Sequence, residues 1–327
     1  MPVLSKIDGP APALPFETIP AAQLAKQTAP LSWLAEGLFL FAGAGILGGA
    51  PKSCKSYFAL DLCVSVASGT PCAGHFAVPT PGPVTLLSVE DPHAVVVARL
   101  RALACSRGLQ LDALPIEVIV EPSVRLPEGI DRLAATVARS RPSLLLLDPL
   151  IRLHRADENS AAEMSVILDG LRNLARSSKT AVLVVHHARK APAGSSSGAA
   201  LRGSSDLAAF GDSNLYLRKL SHDAALELRI EQRAIACPPP MRLKLVVDGA
   251  AEPNARFIVD GASSDDPISG KVLALIVGAA EAVSSSAIRE KLGVRNQLVA
   301  QALRALLERG RIRRAGRDGW LAVGAPG

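Results

Sequence analysis

The sequence predicts an α/β protein built on a mostly parallel sheet, followed by a small basic domain of short helices and a hairpin. Three observations carry that expectation. Apolar strand-like runs alternate with segments whose apolar residues recur at helical spacing, from about residue 42 to residue 187. Such alternation implies a parallel sheet with helices on both faces. A glycine-rich loop, "GGAPKSCKS", stands between the first of these strands and the first helix. Charge is also divided unevenly: of a formal net +6, residues 266–327 carry ten Lys and Arg against five Asp and Glu, leaving the rest of the chain near neutral.

The bulk properties limit the alternatives. A chain of 327 residues has room for one large domain with an appendage, and 49% hydrophobic against 20% charged residues excludes wholesale disorder. Aromatics are only 3%, so packing rests on Leu, Val, Ile and Ala. No uninterrupted apolar run reaches the roughly 18 residues of a membrane span, and "MPVLSKIDGPAPALPF" lacks the pattern of a secretory signal. Five cysteines without a CxxC pair or interleaved histidines suggest neither a disulfide framework nor a zinc site, so a reducing cytoplasm fits. The basic tail suits a polyanion partner, or is simply a solvated basic surface.

In chain order, residues 1–36 are rich in Pro and Ala without a sustained period and read as an arm or linker. Residues 37–259 hold the alternating core. "AGAGILG" is a strand entering the loop, "KSYFALDLCVSVAS" a helix, "VTLLSV" a strand and "HAVVVARLRALAC" a helix. "IEVIVE", "GIDRLAATVARS", "SLLLLD", "AAEMSVILDGLRNLARS" and "AVLVVHH" continue the alternation. After the Gly/Ser-rich "GSSSGAA", the runs "SNLYLRKL", "AALELRIEQR" and "MRLKLVVDG" read as strands that extend the sheet antiparallel. "DGASSDDP", residues 260–267, is a polar linker, and residues 268–327 form the last domain.

The loop fits the phosphate-binding pattern G-x-x-x-x-G-K-S/T, with one departure: Gly49, Ala50, Pro51, Lys52, Ser53, Cys54, Lys55, Ser56. Backbone N–H groups of such a loop cradle phosphate at a helix N-terminus. Lys55 would reach the β and γ phosphates of ATP, and the Ser56 hydroxyl would hold Mg2+. Asp148 ends the apolar strand "SLLLLD", where a carboxylate can hold the same magnesium, or cap the turn before Pro149. Glu90 ends "VTLLSVE" and is placed to activate water, or is a turn carboxylate. His186 and His187 end the next strand, where one can contact the γ phosphate or satisfy backbone groups. All four strand ends fall where ligands bind in parallel sheets.

Together "GGAPKSCKS", "VTLLSVEDPHAVVVARLRAL", "LLLLDPLIRLH", "VVHHARK" and "LRGSSDL" resemble the RepA-type branch of RecA-like ATPases, best known as hexameric plasmid replication helicases. The resemblance covers roughly residues 36–235. It implies a RecA-like core that binds ATP and Mg2+ through Lys55 and Ser56, with Glu90 as catalytic base and Asp148 as the magnesium acid. It implies one of His186 and His187 as phosphate sensor, and Arg202 as a finger reaching a neighbouring subunit, with Arg218 as its rival. It also implies a homo-oligomer, a hexamer, whose loop 188–203, with Arg189 and Lys190, faces single-stranded DNA in a central channel or is merely a flexible linker. Two features depart from that family. Cys54 replaces a glycine, and an electropositive helix start would make it a reactive thiol. The extra domain is the other.

That domain reads as a winged helix-turn-helix. "SSSAIREKLG" and "RNQLVAQALRALLERG" are its paired helices and "RIRRAGRDGWLAV" its hairpin. Leu298, Ala302, Leu303 and Leu306 form the buried stripe of the longer helix. Arg295, Asn296, Gln297, Gln301 and Arg304 lie on the other face and, with Arg313 of the hairpin, offer donors to duplex DNA. Winged helices also dock proteins. Three functions follow: a ring helicase serving a mobile element, an ATP-dependent DNA-bound regulator or loading factor that does not unwind, or a DNA-binding interaction protein with a vestigial nucleotide site.

Overall fold

The computed structural model describes residues 17–28, 30–121, 123–187, 205–220, 225–249, 253–260, 267–279, 282–294, 296–308, 312–315 and 319–322. Contacts divide the chain into two compact units, Met1–Ser32 and Trp33–Gly327. The first holds α1 (Ala21–Gln27), a helix without buried residues entered from Pro20. Its residues AAQLAKQ are nearly all strong helix formers, which suffices for a local helix without an apolar face. No apolar period marks it in the sequence.

The second unit opens with β1 (Trp33–Ala35) and β2 (Phe39–Leu40), a short antiparallel hairpin. Then come β3 (Ala44–Gly49), α2 (Lys55–Ser68), β4 (Val84–Ser88), α3 (His93–Cys105), β5 (Ile116–Val118), α4 (Ile130–Ser140) and β6 (Leu144–Asp148). After α5 (Ala161–Ser178), β7 (Ala181–His187) and α6 (Ser205–Phe210) come β8 (Ser213–Lys219), β9 (Ala225–Gln232), β10 (Met241–Asp248) and β11 (Asn254–Asp260). These eleven strands, β1 and β2 excepted, form one sheet in the order β11-β10-β9-β8-β3-β7-β6-β4-β5. Every pair from β5 to β8 is parallel, whereas β8 to β11 pair antiparallel.

Three details differ from the sequence expectation. β8 runs parallel to β3, so the antiparallel extension begins only at β9; the long connection through α6 permits the parallel crossover. β5 is three residues rather than six, since only β4 pairs with it at the sheet edge. β11 is an additional strand, in which Ala255, Phe257 and Val259 alternate inward and Phe257 meets Phe58 edge-on.

The middle strands are buried along their full length, as their uninterrupted apolar runs require. One face is covered by α2 and α3, with Phe58, Leu62, Val96 and Leu100 in its core. The other is covered by α4, α5 and α6, through Leu133, Ile167, Leu171 and Phe210. A buried ion pair ties the first layer together. Asp61 of α2 accepts from Arg107 Nη2 at 2.6 Å and from the Ala73 N–H at 2.7 Å. The same guanidinium also donates to Ser65, Thr70 and the Leu103 carbonyl. No described helix is long and apolar enough to cross a membrane.

The remaining elements are α7 (Pro267–Val277), β12 (Val283–Ser284), α8 (Ser285–Leu292), α9 (Asn296–Glu308), β13 (Ile312–Ala315) and β14 (Gly319–Ala322). Their sheet has the order β12-β14-β13. They enclose an apolar cluster of their own around Ile276, Ile288, Val299, Leu303 and Trp320. The Ser284 hydroxyl caps α8 by accepting from the Ala287 N–H, and Gly293 ends it at φ +63°. Ala302, Leu303 and Leu306 are buried as the helical period requires, with Val299 completing the stripe; the Leu298 side chain lies outside the described residues.

Candidate nucleotide site

The carboxyl ends of β3, β7, β6 and β4, neighbours in the sheet, meet at one edge. Register aligns them: Gly49 pairs with His187 and Ser88 with Asp148. Between β3 and α2 the chain makes a tight loop. A Cβ on Gly49 would lie 2.3 Å from the Leu217 carbonyl oxygen and 2.8 Å from Ser53 Oγ, so only glycine lets β8 approach. Lys52 and Cys54 both take φ +62°. At Cys54, which caps α2, that left-handed conformation explains why the motif calls for glycine. The cysteine adopts the glycine geometry, at a cost of about 1–2 kcal/mol.

Lys55 is buried and donates from Nζ to the Ala50 carbonyl at 2.9 Å, so its ammonium closes over the loop. The Ser53 hydroxyl is buried in the loop without a hydrogen-bond partner. Ser56, the residue after Lys55, lies close enough to Asp148 to pull on its carboxyl. Burial raises the Asp148 carboxyl above its usual range, against the pull of Ser56 and Lys55, while Asp91 and Glu90 add to the rise. Lys55 is in turn lowered by burial, with Asp148 and Glu90 opposing. Lys55 thus feels the charge of both Asp148 and Glu90. Ser56 and Asp148 bring two hard oxygen donors together, a set that fits Mg2+.

Glu90 stands exposed beyond β4, its Oε2 3.4 Å from His187 Nε2. Successive strand residues point to opposite faces, so the two histidines part company. His187 turns towards Glu90. His186 is fully buried, with Nδ1 3.5 Å from Glu158 Oε1. Burial, more than the neighbouring charges, pushes His186 down to about 4, which keeps it neutral near pH 7.

The structure corrects one expectation about Cys54. Its thiol is pushed above the ordinary cysteine range because burial outweighs the attraction of Lys219, Arg99 and Lys55. The positive groups at the helix start are present, but desolvation of the thiolate dominates. Burial at Cys54 therefore opposes the thiolate that the helix start alone would favour. Cys54→Gly is expected to raise stability by about 0.5–1 kcal/mol, because relief of the left-handed strain exceeds the entropy that glycine adds to the unfolded chain. Denaturant unfolding checks this, and a loss of stability would mean that the thiol packs more favourably than its backbone strains.

Sequence reasoning missed a support for this edge. Arg99 of α3 pairs with Asp91, the residue after Glu90, and lies 5.0 Å above the Tyr57 ring, the residue after Ser56. It thus clamps the Glu90 turn to the start of α2. Only the adjacency of Asp91 to Glu90 hinted at it. Arg218, at the end of β8, donates to both carboxylate oxygens of Glu227 at 3.2 Å. Arg202, Arg189, Lys190 and the rest of the 188–203 loop lie outside the described residues, as do Arg295 and the side chains of Gln297, Gln301 and Arg304. Arg313 is described and exposed on β13.

The family model of an AAA domain matches residues 10–193. Among solved structures, the chain is similar to one described as an ATPase domain, with a TM-score of 0.51 and 16% identity over 63% of this chain and 82% of that one. It is also similar to a DnaB-like replicative helicase, described with its interactions with primase, at a TM-score of 0.51 and 17% identity over 63% of this chain. There the chain spans 55% of the helicase's length. The shared feature is the RecA-like α/β core with its mostly parallel sheet.

Proposed function

The chain belongs to the AAA domain family, and from that premise we propose that it hydrolyses ATP and works on DNA as a ring helicase of the RepA type, serving a mobile element in the cytoplasm. The observation that carries this reading is the convergence of Lys55, Ser56, Asp148, Glu90 and His187 on four adjacent strand ends. Lys55 leaves the Ala50 carbonyl to meet the β and γ phosphates. Ser56 and Asp148 would hold Mg2+, which when bound neutralises charge on the phosphate oxygens. Glu90 takes the proton of the attacking water. His187, within reach of Glu90, is the better placed of the two histidines to sense the γ phosphate and orient that base.

Hydrolysis in this reading needs a neighbouring subunit, whose Arg202 supplies positive charge to the transition state. Arg218 is the less suited rival, being engaged by Glu227. A hexamer would place the 188–203 loop, with Arg189 and Lys190, around single-stranded DNA. The last domain, residues 268–327, is proposed as a winged helix that grips duplex DNA. The order strand, two helices and hairpin supports that reading, as does the net charge of the tail. Its contacts would be Arg295, Gln297, Gln301, Arg304 and Arg313. Arg314, by contrast, lies 5.3 Å over the Trp320 ring.

The test is ATP hydrolysis with and without single-stranded DNA, read beside the mass of the assembly. Stimulated hydrolysis that vanishes in Lys55→Ala is the expected result; no nucleotide binding by the parent overturns the reading. Stimulated hydrolysis without strand displacement would indicate a regulator or loader instead. Removing residues 266–327 should weaken duplex binding and flatten its salt dependence, which scales with the phosphates neutralised. An unchanged affinity and slope would make the last domain a protein-docking module.

A further inference from the structure

Three titratable side chains that the proposed chemistry leaves unused lie together beside the site. Glu158, in the segment between β6 and α5, places Oε1 3.5 Å from His186 Nδ1 and 3.8 Å from His154 Nε2. Both imidazoles are enclosed, with side-chain exposures of 0% for His186 and 1% for His154, and Glu158 retains only 20%. Burial lowers both histidines, so each ring is neutral near pH 7 and carries a single N–H. A carboxylate facing one ring nitrogen selects which nitrogen keeps that proton.

The placement of the trio gives it leverage. His186 directly precedes His187, the partner of Glu90, and the two pair with Gly48 and Gly49 at the mouth of the phosphate loop. The segment bearing His154 and Glu158 starts from Asp148 and is itself held. The Leu126 N–H donates to the Leu153 carbonyl at 2.6 Å, and the Asp157 N–H donates to Glu163 Oε2 at 2.9 Å. Glu158 therefore bridges a fixed segment after β6 to the last residues of β7.

We propose that Glu158 is a positioning residue whose carboxylate faces the Nδ1 side of His186, with His154 as its second neighbour, and so fixes the end of β7 with His187 aimed at Glu90. This inference rests on the nucleotide reading of the site above. Glu158 touches neither nucleotide nor the attacking water in it. Its effect passes through the adjacent histidine pair, because consecutive Cα atoms are tied about 3.8 Å apart. Losing it should leave ATP binding intact and reduce turnover.

The experiment uses the full chain labelled with 15N at histidine. Ring-nitrogen NMR is compared with steady-state ATP hydrolysis for the parent, Glu158→Gln and Glu158→Ala. The parent should show His186 as its Nδ1–H tautomer. Glu158→Ala should lose that preference and lower kcat by about tenfold, within the range for residues that act through a neighbour, with KM for ATP unchanged. Glu158→Gln keeps an acceptor oxygen and should restore both the tautomer and most of kcat. An unchanged tautomer or an unchanged kcat in Glu158→Ala overturns the proposal. So does equal impairment of both variants with a lowered melting midpoint, which marks packing alone. A parent that hydrolyses no ATP sinks the nucleotide reading, and the kinetic role with it; an active parent with unaffected variants sinks only the positioning role.

Discussion

Glu90→Gln should bind ATP as the parent does yet turn it over about 10²–10⁴-fold more slowly, the usual contribution of a general base. The amide matches the carboxylate in size and can still face His187 Nε2, 3.4 Å away in the parent. It cannot take up a proton from water. Lys55, Ser56 and Asp148 are untouched, so the groups that hold nucleotide remain. Arg99 still clamps the turn through Asp91, so the side chain stays in place. Equilibrium binding of an ATP analogue and single-turnover phosphate release separate the two effects. A parent-like rate removes Glu90 as the base, and loss of binding shows that its charge holds the loop rather than the water.

Asp61→Ala should destabilise the protein by about 3–5 kcal/mol, the cost of breaking a buried ion pair from one side. Asp61 is 1% exposed and Arg107 12% exposed in their side chains, so water cannot replace the lost partner. The substitution strands the Arg107 guanidinium and the Ala73 N–H, each of which now finds Asp61 at hydrogen-bond distance. Because Asp61 joins α2 to the segments that follow α2 and α3, through Ala73 and Arg107, α2 should loosen as well. The double variant Asp61→Leu with Arg107→Met should recover much of the loss, since no charge is then left buried. Denaturant unfolding of the three proteins decides the matter. A loss under about 1 kcal/mol for Asp61→Ala would place the pair in the class of solvent-screened surface bridges.

Much of this protein is legible along the chain because its determinants are local. The runs "VTLLSV", "LLLLD" and "AVLVVHH" are predominantly apolar on both faces, the pattern of a strand buried on both sides. Helix α2 spans the run read as helical, although it is buried on all sides from Phe58 to Ala67, and the phosphate loop announces itself by the spacing of Gly49, Lys55 and Ser56. What escapes such reading depends on contacts between distant segments. Strand β11 is two-faced, and its inward residues gain meaning only where Phe257 meets Phe58. The direction of β8 is set by where its neighbour β3 lies, since a strand's pattern is the same read parallel or antiparallel.

The candidate site divides in the same way. That Lys55, Ser56, Glu90, Asp148 and a histidine belong together follows from their order at strand ends. Which histidine faces Glu90 follows only from the pleat of β7, which sends His187 to the open edge and His186 into the interior beside Glu158. The reactivity of Cys54 could not be read from its place at a helix start, because that place supplies positive charge in every such loop. Its protonation is decided by how much water the surrounding side chains remove, and here desolvation exceeds the pull of Lys219, Arg99 and Lys55. Residue types and spacing thus set which chemistry is possible, since they depend on covalent order alone. Burial and orientation select among those possibilities, because both are properties of neighbours brought together from across the sequence.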